Sequence, residues 1–281
     1  MSEHLIFPAI DPIIFTIPNV PIVGDLSVRW YGLMYLLAFV MAMFIANKQA
    51  DRPNSGWTRE QVSDFLFYGF LGVVLGGRIG YVLFYQFNHF IENPLYLLQI
   101  QSGGMSFHGG FLGVVLVLFL YGRKQNKSFL QMADFVAPII PLGLGAGRIG
   151  NFINAELWGR TTDVPWAVVF PNTDGQPRHP SQLYEFALEG LVLFMILVWF
   201  AKRPRPVGSI GALFCIGYGS FRFIVEYFRE PDSHLNLFFN FISMGQILSL
   251  PMIIVGIAVF VWVHKTAPAK DSAEPQKGAK A

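Results

Sequence analysis

Seven long apolar segments constrain the fold of this chain more than any other feature of its sequence. A helix needs about 20 mostly apolar residues, within a range of about 17 to 25, to cross a bilayer. Only 14% of the 281 residues are charged, whereas a soluble domain carries about 25%. The sequence therefore predicts an all-α integral membrane protein with about seven transmembrane helices. The predicted spans are Trp30–Ala46, Phe65–Phe87, Met105–Tyr121, Phe135–Ile153, Leu183–Ala201, Val207–Val225 and Ile242–Val263.

The rest of the chain consists of short polar joints and a tail. We expect one transmembrane helical domain over residues 1–265, with an outer loop region at about 154–180, and a disordered tail over 266–281. Within the outer loop, the apolar run 166–171 is expected to form a short strand or an interfacial arm. The first 29 residues lack the basic start, apolar run and cleavage site of a secretory signal. We therefore expect the first apolar segment to stay in the membrane.

Basic residues are divided unequally between the two sets of joints. One set, which includes the C-terminal tail, holds thirteen Lys and Arg residues. The other set holds four, namely Arg29, Arg160, Arg178 and Arg229. Because cytoplasmic joints carry an excess of Lys and Arg, the sequence predicts a cytoplasmic C-terminus and an N-terminus on the outer side of the membrane.

Composition and missing motifs exclude several classes of function. A net charge of +2 gives no electrostatic support for nucleic-acid binding. The single cysteine, Cys215, excludes an internal disulfide framework and a cysteine-based metal cluster. The chain has no HExxH, CxxC or GxSxG motif. We therefore predict neither a metal ion nor a cofactor.

The run Gly145-Ala-Gly147-Arg-Ile-Gly150 matches the dinucleotide-binding pattern GxGxxG. That pattern binds a dinucleotide only after a strand and within a βαβ unit, and here the glycines lie inside a predicted span. Close helix packing explains them better, since the spacing at 143 and 147, at 72 and 76, and at 76 and 80 fits the small-xxx-small motif.

Polar residues of the predicted spans gather at one depth near the outer face of the membrane. They are Tyr31, Arg78, His108, Arg148, Glu185, Glu189 and Arg222. An arginine at a helix centre costs about 2.5–3.5 kcal/mol to insert, and three arginines on separate helices repel unless an anion lies among them. Glu226 can neutralise Arg222 at i,i+4. The remaining positive charge predicts a ligand that contains phosphate.

Several of these residues keep a second interpretation. Arg78 can instead be a snorkelling or helix-pairing residue. His108 can act as a general base or simply satisfy a hydrogen bond. On a helix, Arg148, Asn151, Ala155 and Gly159 would lie within about 60° of one another and form an accessible stripe. Glu226 and Arg229 would share a helix face with Arg222. The aspartates at 64 and 134 are expected to complement the N-termini of the helices that follow them.

Six separated motifs resemble those of the prolipoprotein diacylglyceryl transferase family. They are Trp30-Tyr-Gly-Leu-Met-Tyr35, Gly-Gly-Met-Ser-Phe-His-Gly-Gly (103–110), Gly-Arg-Ile-Gly-Asn-Phe-Ile-Asn (147–154), Glu-Leu-Trp-Gly-Arg (156–160), Arg-His-Pro-Ser-Gln-Leu-Tyr-Glu (178–185) and Phe-Arg-Phe-Ile-Val-Glu-Tyr-Phe-Arg (221–229). The resemblance covers residues 5 to about 264. It implies a multi-pass enzyme of the bacterial inner membrane, with a periplasmic N-terminus and an active site that faces the outer leaflet.

The resemblance also implies a reaction. The family moves the diacylglyceryl group of phosphatidylglycerol onto the thiol of the lipobox cysteine of preprolipoproteins, which forms a thioether and releases glycerol phosphate. The implied partners are phosphatidylglycerol, preprolipoprotein signal peptides and the lipid bilayer. The acceptor thiol would be activated either by His108 or by the field of the arginines.

Residue roles follow from the matched motifs. Arg148 resembles the family's phosphatidylglycerol-binding arginine and Arg222 its second essential arginine. We therefore predict His108, Arg148 and Arg222 as catalytic residues. The predicted substrate-binding residues are Arg148, Tyr31, Asn151, Glu156, Gly159, Tyr218, Glu226, Arg229 and Arg78.

Two other functions would use the same arginines. A transporter or channel for an anionic solute or lipid would use them as a transient anion site, and a membrane scaffold would bind lipid without catalysis. A transporter needs a polar route to both faces, whereas the inner halves of the predicted spans are apolar. This pattern favours the transferase.

Overall fold

Helices dominate the computed structural model of the protein, which describes residues 4–20, 24–53, 55–99, 103–231 and 242–267. The helices are α1 (Trp30–Ala50), α2 (Arg59–Tyr85), α3 (Phe87–Glu92), α4 (Phe107–Lys124), α5 (Phe129–Val136), α6 (Ile140–Ile153), α7 (Ser181–Glu185), α8 (Leu193–Phe200), α9 (Ser209–Val225) and α10 (Met244–Thr266). A π-helical segment, Phe186–Val192, joins α7 to α8, so that Ser181–Phe200 is one continuous helix. Most of the predicted disordered tail lies outside the described residues.

Among the described residues, five helices are long and apolar enough to cross a membrane. They are α1, α2, α4, the continuous helix Ser181–Phe200 and α10, and a sixth span results if α5 and α6 are counted together. Helix α9 is apolar but shorter. These helices agree with an all-α membrane protein, whereas the count of seven spans stays a prediction.

The predicted fourth span, Phe135–Ile153, is wrong as a single straight helix. The chain bends by 47° between α5 and α6. Pro138 and Pro141 lie at this bend, and a proline removes a backbone donor and disfavours helical geometry in the residue before it. The bend gives α6, which carries Arg148, a direction of its own.

Side chains set where several helices begin. Thr58, Ser128 and Ser243 each accept a hydrogen bond from the backbone N–H three residues later, and a glutamine at that position bonds back to the capping residue. These are capping boxes, which satisfy two otherwise unpaired donors at each helix start. The local sequence therefore explains the starts of α2, α5 and α10.

Among the described residues, five short strands accompany the helices, and one of them lies where the sequence left a strand or an interfacial arm open. Strands β2 (Ile13–Val20) and β3 (Gly24–Arg29) form an antiparallel pair that leads directly into α1. Strands β1 (Leu5–Ile6), β4 (Val168–Val169) and β5 (Pro177–Arg178) form a small sheet in the order β1-β4-β5. Strand β4 lies in the apolar run for which a strand or an arm was expected.

Glycines allow α2 and α4 to pack in direct contact. A Cβ on Gly72 would lie 2.9 Å from the carbonyl oxygen of Gly113, and one on Gly76 would collide with that of Gly109. The small-xxx-small prediction is therefore confirmed for α2. It is wrong for Gly143, where an added Cβ would meet no atom of the described residues within 4 Å.

Asp134 holds the start of a distant helix. Its carboxylate accepts hydrogen bonds from the backbone N–H groups of Gly208, Ile210 and Gly211 at 2.6, 2.9 and 2.8 Å. The expectation that Asp134 complements its own following helix is therefore wrong, because α5 carries it to the N-terminus of α9. This contact anchors the helix that carries Arg222.

Replacing Asp134 should therefore destabilise the protein. Asp134→Ala leaves three N–H groups at the start of α9 without their acceptor, and we expect the free energy of unfolding to fall by about 1–3 kcal/mol. Thermal unfolding of the purified protein in detergent micelles measures the effect. Asp163→Ala, at an exposed loop position, is the control, and equal melting temperatures for the two variants would contradict the anchoring role.

Candidate functional site

Two arginines from separate helices hold one buried carboxylate between them. Nε of Arg148, on α6, lies 2.6 Å from Oε2 of Glu185, at the end of α7. Nη1 of Arg222, on α9, lies 2.5 Å from Oε1 of the same group. The side chain of Glu185 is only 2% exposed. The predicted convergence of Arg148 and Arg222 is therefore present in the structure.

Two further carboxyl groups complete what we call the Arg–Glu cluster: Arg148, Arg222, Glu185, Glu189 and Glu226. Oε2 of Glu226 lies 2.7 Å from Nη2 of Arg222, as the i,i+4 spacing predicted. Oε1 of Glu189 lies 3.9 Å from Nη1 of Arg222. The prediction of unmet positive charge is wrong, since two arginines face three carboxyl groups.

Sequence reasoning placed Glu185 and Glu189 at the same depth as Arg148 and Arg222, beside which the structure now finds them, but did not assign them to the site. Both residues come from one helix, and the π-helical segment Phe186–Val192 lies between α7 and α8 at this point. A Cβ on Gly145 would lie 3.2 Å from Cα of Gly190, so the two glycines bring α6 close to this segment. Two carboxylates in an apolar span were themselves the available signal, because intramembrane ionisable residues mark functional sites.

A hydrogen-bonded chain extends from Arg148 towards the end of α6. Nη1 of Arg148 donates to Oδ1 of Asn151 at 3.4 Å, and Nδ2 of Asn151 donates to Oε1 of Glu156 at 2.8 Å. Tyr31 lies beside this chain, because a Cβ on Gly150 would come within 2.6 Å of its ring. The structure thus brings together Tyr31, Asn151 and Glu156, as the sequence predicted.

The predicted stripe of small residues beyond Asn151 is wrong. Helix α6 ends at Ile153, and Ala155 and Leu157 have positive φ angles of 52° and 56°, so the chain leaves the helix before Gly159. Gly159 forms an isolated β-bridge with Arg229. For the same reason Arg229 does not share a helix face with Arg222, because α9 ends at Val225.

Gly159 lies where no larger residue fits. A Cβ at this position would be 2.5 Å from the carbonyl oxygen of Phe228 and 2.6 Å from that of His179. Both are backbone atoms, which cannot move aside as a flexible side chain would. The glycine therefore serves close packing of the loop against the chain after α9, rather than access to the site.

A methyl group at this glycine should disturb the site. We expect Gly159→Ala to destabilise the protein by roughly 1–3 kcal/mol through overpacking and to lower activity, because the loop also carries Glu156. Gly143→Ala is the matched control, since its Cβ would enter open space. Thermal unfolding measures both variants, and a wild-type melting temperature for Gly159→Ala would contradict the packing.

Arg178 fastens the same loop from the other side. It is buried, its Nη1 donates to the carbonyl oxygen of Gly159 at 3.2 Å, and it pairs with Asp174 and Glu230. The guanidinium also lies 4.2 Å from the ring centroid of Trp158. From the sequence, Arg178 was known only as a loop charge and the first residue of one matched motif. Its role in holding the loop depends on contacts that are distant along the chain.

His179, the next residue along the chain, is a neutral packing residue. Its Nδ1 lies 3.1 Å from the hydroxyl of Tyr184, whose oxygen also accepts from Nε1 of Trp166 at 2.7 Å. Burial lowers the pKa of His179 below its ordinary value. The imidazole is therefore uncharged at neutral pH and adds no positive charge beside the site.

Arg78 is occupied by backbone carbonyl groups. Its guanidinium is buried and donates to Tyr96, Leu97, Gly103 and Gly104. This geometry corresponds to the pairing alternative. The predicted gathering of three arginines is wrong with respect to Arg78, because its four acceptors all lie in the segment before α4.

The two remaining predicted residues occupy different places. His108 is the second residue of α4, is exposed, and has its ring 5.7 Å from that of Phe107. Among the described residues, no hydrogen bond or ion pair joins His108 to the Arg–Glu cluster. Tyr218 lies one turn before Arg222 on α9 and interacts electrostatically with Glu189 and Arg222. It therefore borders the cluster as predicted.

The chemistry available at the cluster is anion binding by paired guanidinium groups. In the part of the chain that the structure describes, no group of three or more His, Cys, Asp or Glu side chains is arranged to hold a metal ion. The carboxyl groups of the cluster instead lie against Arg148 and Arg222. Arginine forks suit the oxygens of carboxylates and phosphates alike, so the cluster is suited to a phosphate-containing ligand.

Comparison with known proteins identifies similar chains. A family model described as prolipoprotein diacylglyceryl transferase matches residues 18–262. A phosphatidylglycerol–prolipoprotein diacylglyceryl transferase of Aliivibrio salmonicida is 61% identical, with 100% of this chain and 99% of that protein covered. Proteins of the same name from Vibrio cholerae and Pseudoalteromonas translucida are 63% and 64% identical, with 95% and 94% of this chain covered and 97% of each relative.

Proposed function

Since the chain belongs to the prolipoprotein diacylglyceryl transferase family, we propose that the Arg–Glu cluster is its active centre. In this proposal, Arg148 and Arg222 bind the phosphate of phosphatidylglycerol. The protein is a transferase of the first step of lipoprotein maturation, in which phosphatidylglycerol donates a diacylglyceryl group to a prolipoprotein. The names of the relatives give no support to the transporter alternative.

One observation carries the proposal about the site. Guanidinium groups from two helices hold both oxygens of the buried Glu185 carboxylate, at 2.6 and 2.5 Å. Arginines that are spaced to hold two oxygens of a carboxylate are also spaced to hold two oxygens of a phosphate. Asn151 extends the same polar surface from Arg148.

The proposed acceptor is the thiol of the lipobox cysteine. Its sulfur attacks the glyceryl carbon that carries the phosphate ester, so that a carbon–sulfur bond forms and a carbon–oxygen bond breaks. The electron pair of the broken bond leaves with glycerol phosphate. Because negative charge then grows on the phosphate oxygens, guanidinium groups already in place beside them lower the barrier.

The proton of the acceptor thiol has two proposed routes. His108 can accept it as a general base, since its exposed position at the start of α4 leaves the imidazole accessible. Alternatively, the arginines stabilise the thiolate electrostatically and the proton passes to water. In both cases the nucleophile belongs to the substrate.

We further propose seven spans in the bacterial inner membrane, with the N-terminus and the Arg–Glu cluster towards the periplasm. The bias of thirteen basic residues against four supports this orientation.

Labelling of single cysteines tests the topology. In a Cys215→Ala background, the cysteine of Asp163→Cys should react with a membrane-impermeant maleimide in intact spheroplasts. A cysteine at Lys124 should react only after lysis, and the opposite pattern would invert the proposed topology.

A reconstituted assay tests the function. Purified protein is incubated with phosphatidylglycerol and a lipobox peptide, and mass spectrometry detects the thioether product. A peptide with serine in place of cysteine should give none. Cys215→Ala should retain activity, because this half-buried residue supplies no nucleophile. Folded wild-type protein that forms no product would overturn the proposal.

A further inference from the structure

The Arg–Glu cluster contains three carboxyl groups but only two guanidinium groups. Glu189 differs from its neighbours, since its side chain has no exposed surface and neither oxygen has a hydrogen-bond partner among the described residues. An ionised carboxylate at such a place loses its hydration without replacement. Glu189 is therefore the carboxyl group of the cluster least suited to carry a charge, and the two arginines pair more closely with Glu185 and Glu226.

The groups around the cluster leave this pairing in place. Helix α6 contributes Arg148, and α9 contributes Tyr218 and Arg222. Beyond the ends of these helices lie Glu156, which accepts hydrogen bonds from Asn151 and Asn154, and Arg229. Both arginines of the cluster are thus already paired with carboxylates.

In the proposed binding mode, a lipid phosphate adds one negative charge to the two arginines that hold Glu185. Glu185 is 2% exposed at the end of α7, between α6 and α9, so its carboxylate is shielded from water. Leaving it ionised beside the phosphate would place two anions on the same pair of arginines. Like charges at such separation disfavour double ionisation, and one of the two groups takes a proton.

We infer that phosphatidylglycerol binding between Arg148 and Arg222 is coupled to uptake of one proton by Glu185. The inference rests on the proposed function and assigns to Glu185 a positioning role. In the empty site its carboxylate keeps the two guanidinium groups at the spacing of two oxygens. In the occupied site its neutral carboxyl group yields them to the phosphate.

Calorimetric titration without peptide tests this coupling. Phosphatidylglycerol in mixed micelles is titrated into the full-length protein in buffers of different ionisation enthalpy. We expect uptake of about one proton per lipid, and a Kd that rises about tenfold per pH unit over the range in which binding takes up that proton. Below that range the Kd should become independent of pH.

Three variants and one lipid locate the proton. Glu185→Gln should reduce uptake to near zero and flatten the dependence of Kd on pH. Glu189→Gln, an isostere of a neutral acid, should keep the wild-type slope, and so should Glu60→Gln at an exposed position of α2. Diacylglycerol, which lacks the phosphate, should bind without proton uptake.

Two results would overturn the inference: no uptake by the wild type, or uptake that persists in Glu185→Gln. Uptake with diacylglycerol would also overturn it, because the proton would then follow the acyl chains. The transfer assay separates this failure from failure of the proposed function. Product formation with a Kd independent of pH refutes only the coupling, whereas coupled binding without product refutes only the transfer.

Discussion

Arg148→Ala should lower kcat/KM for diacylglyceryl transfer by about 100- to 1000-fold, the usual loss when one group that stabilises transition-state charge is removed. The variant loses the guanidinium that lies 2.6 Å from Glu185 and donates to Asn151. Arg148→Lys keeps the charge but not the planar fork, so its activity should fall between that of the wild type and that of Arg148→Ala. Rates at saturating and limiting phosphatidylglycerol separate effects on kcat from effects on KM.

The double variant Arg148→Ala/Glu185→Gln distinguishes catalysis from charge balance. If the single variant failed only because Glu185 lost one of its cations, neutralising Glu185 would restore transfer. We expect the double variant to remain inactive, because the phosphate still lacks its ligand. Arg59→Ala, an exposed ion-pair residue at the start of α2, is the control. Near-normal turnover of Arg148→Ala would show that the arginine is not a phosphate ligand.

Arg222→Ala should cause the largest loss of stability. Its guanidinium is 12% exposed and lies against Glu185, Glu189 and Glu226. Removing one partner of a buried ion pair typically costs roughly 3–5 kcal/mol, because the other charge remains uncompensated. We expect a strongly lowered melting temperature and a smaller monodisperse fraction in detergent, together with loss of transfer.

Arg123→Ala provides the matched control for this measurement. Arg123 is exposed near the end of α4 and lies over the ring of Phe119 at 4.7 Å, so its removal should change stability by no more than about 0.5 kcal/mol. Glu185→Gln combined with Arg222→Ala should recover part of the lost stability. An unchanged melting temperature for Arg222→Ala would mean that the carboxyl groups find other partners.

Hydropathy identified most of the long apolar helices, but it predicted the residues at which they end or break less accurately. Six of the seven predicted spans have helices of similar bounds, because a run of apolar residues needs no distant contact to favour helix in a bilayer. The failure at Phe135–Ile153 had a local signal, the two prolines at 138 and 141. The local sequence signal for strands β2 and β3 was weaker, since each strand depends on pairing with the other segment of the chain.

The candidate site shows the same division. Arg148, Arg222 and Glu226 were predicted from their depth and spacing, and the structure brings them together. The predicted unmet positive charge was wrong, because the partners of Arg148 and Arg222 include Glu185 and Glu189 from a different helix. Gly159 and Arg229 were extrapolated along helices that had already ended.

The residues alone were enough to predict a membrane protein, its family and the meeting of Arg148 with Arg222. Hydropathy and motifs are properties of short stretches of chain, so they need no knowledge of the fold. The pairing of each charge could not be predicted in this way. Glu185 meets Arg148 and Arg222 only after the π-helical segment, the bend before α6 and the Asp134 contact at the start of α9 have oriented three helices. Electrostatic energy depends on the distance between charges, and packing between distant segments sets those distances.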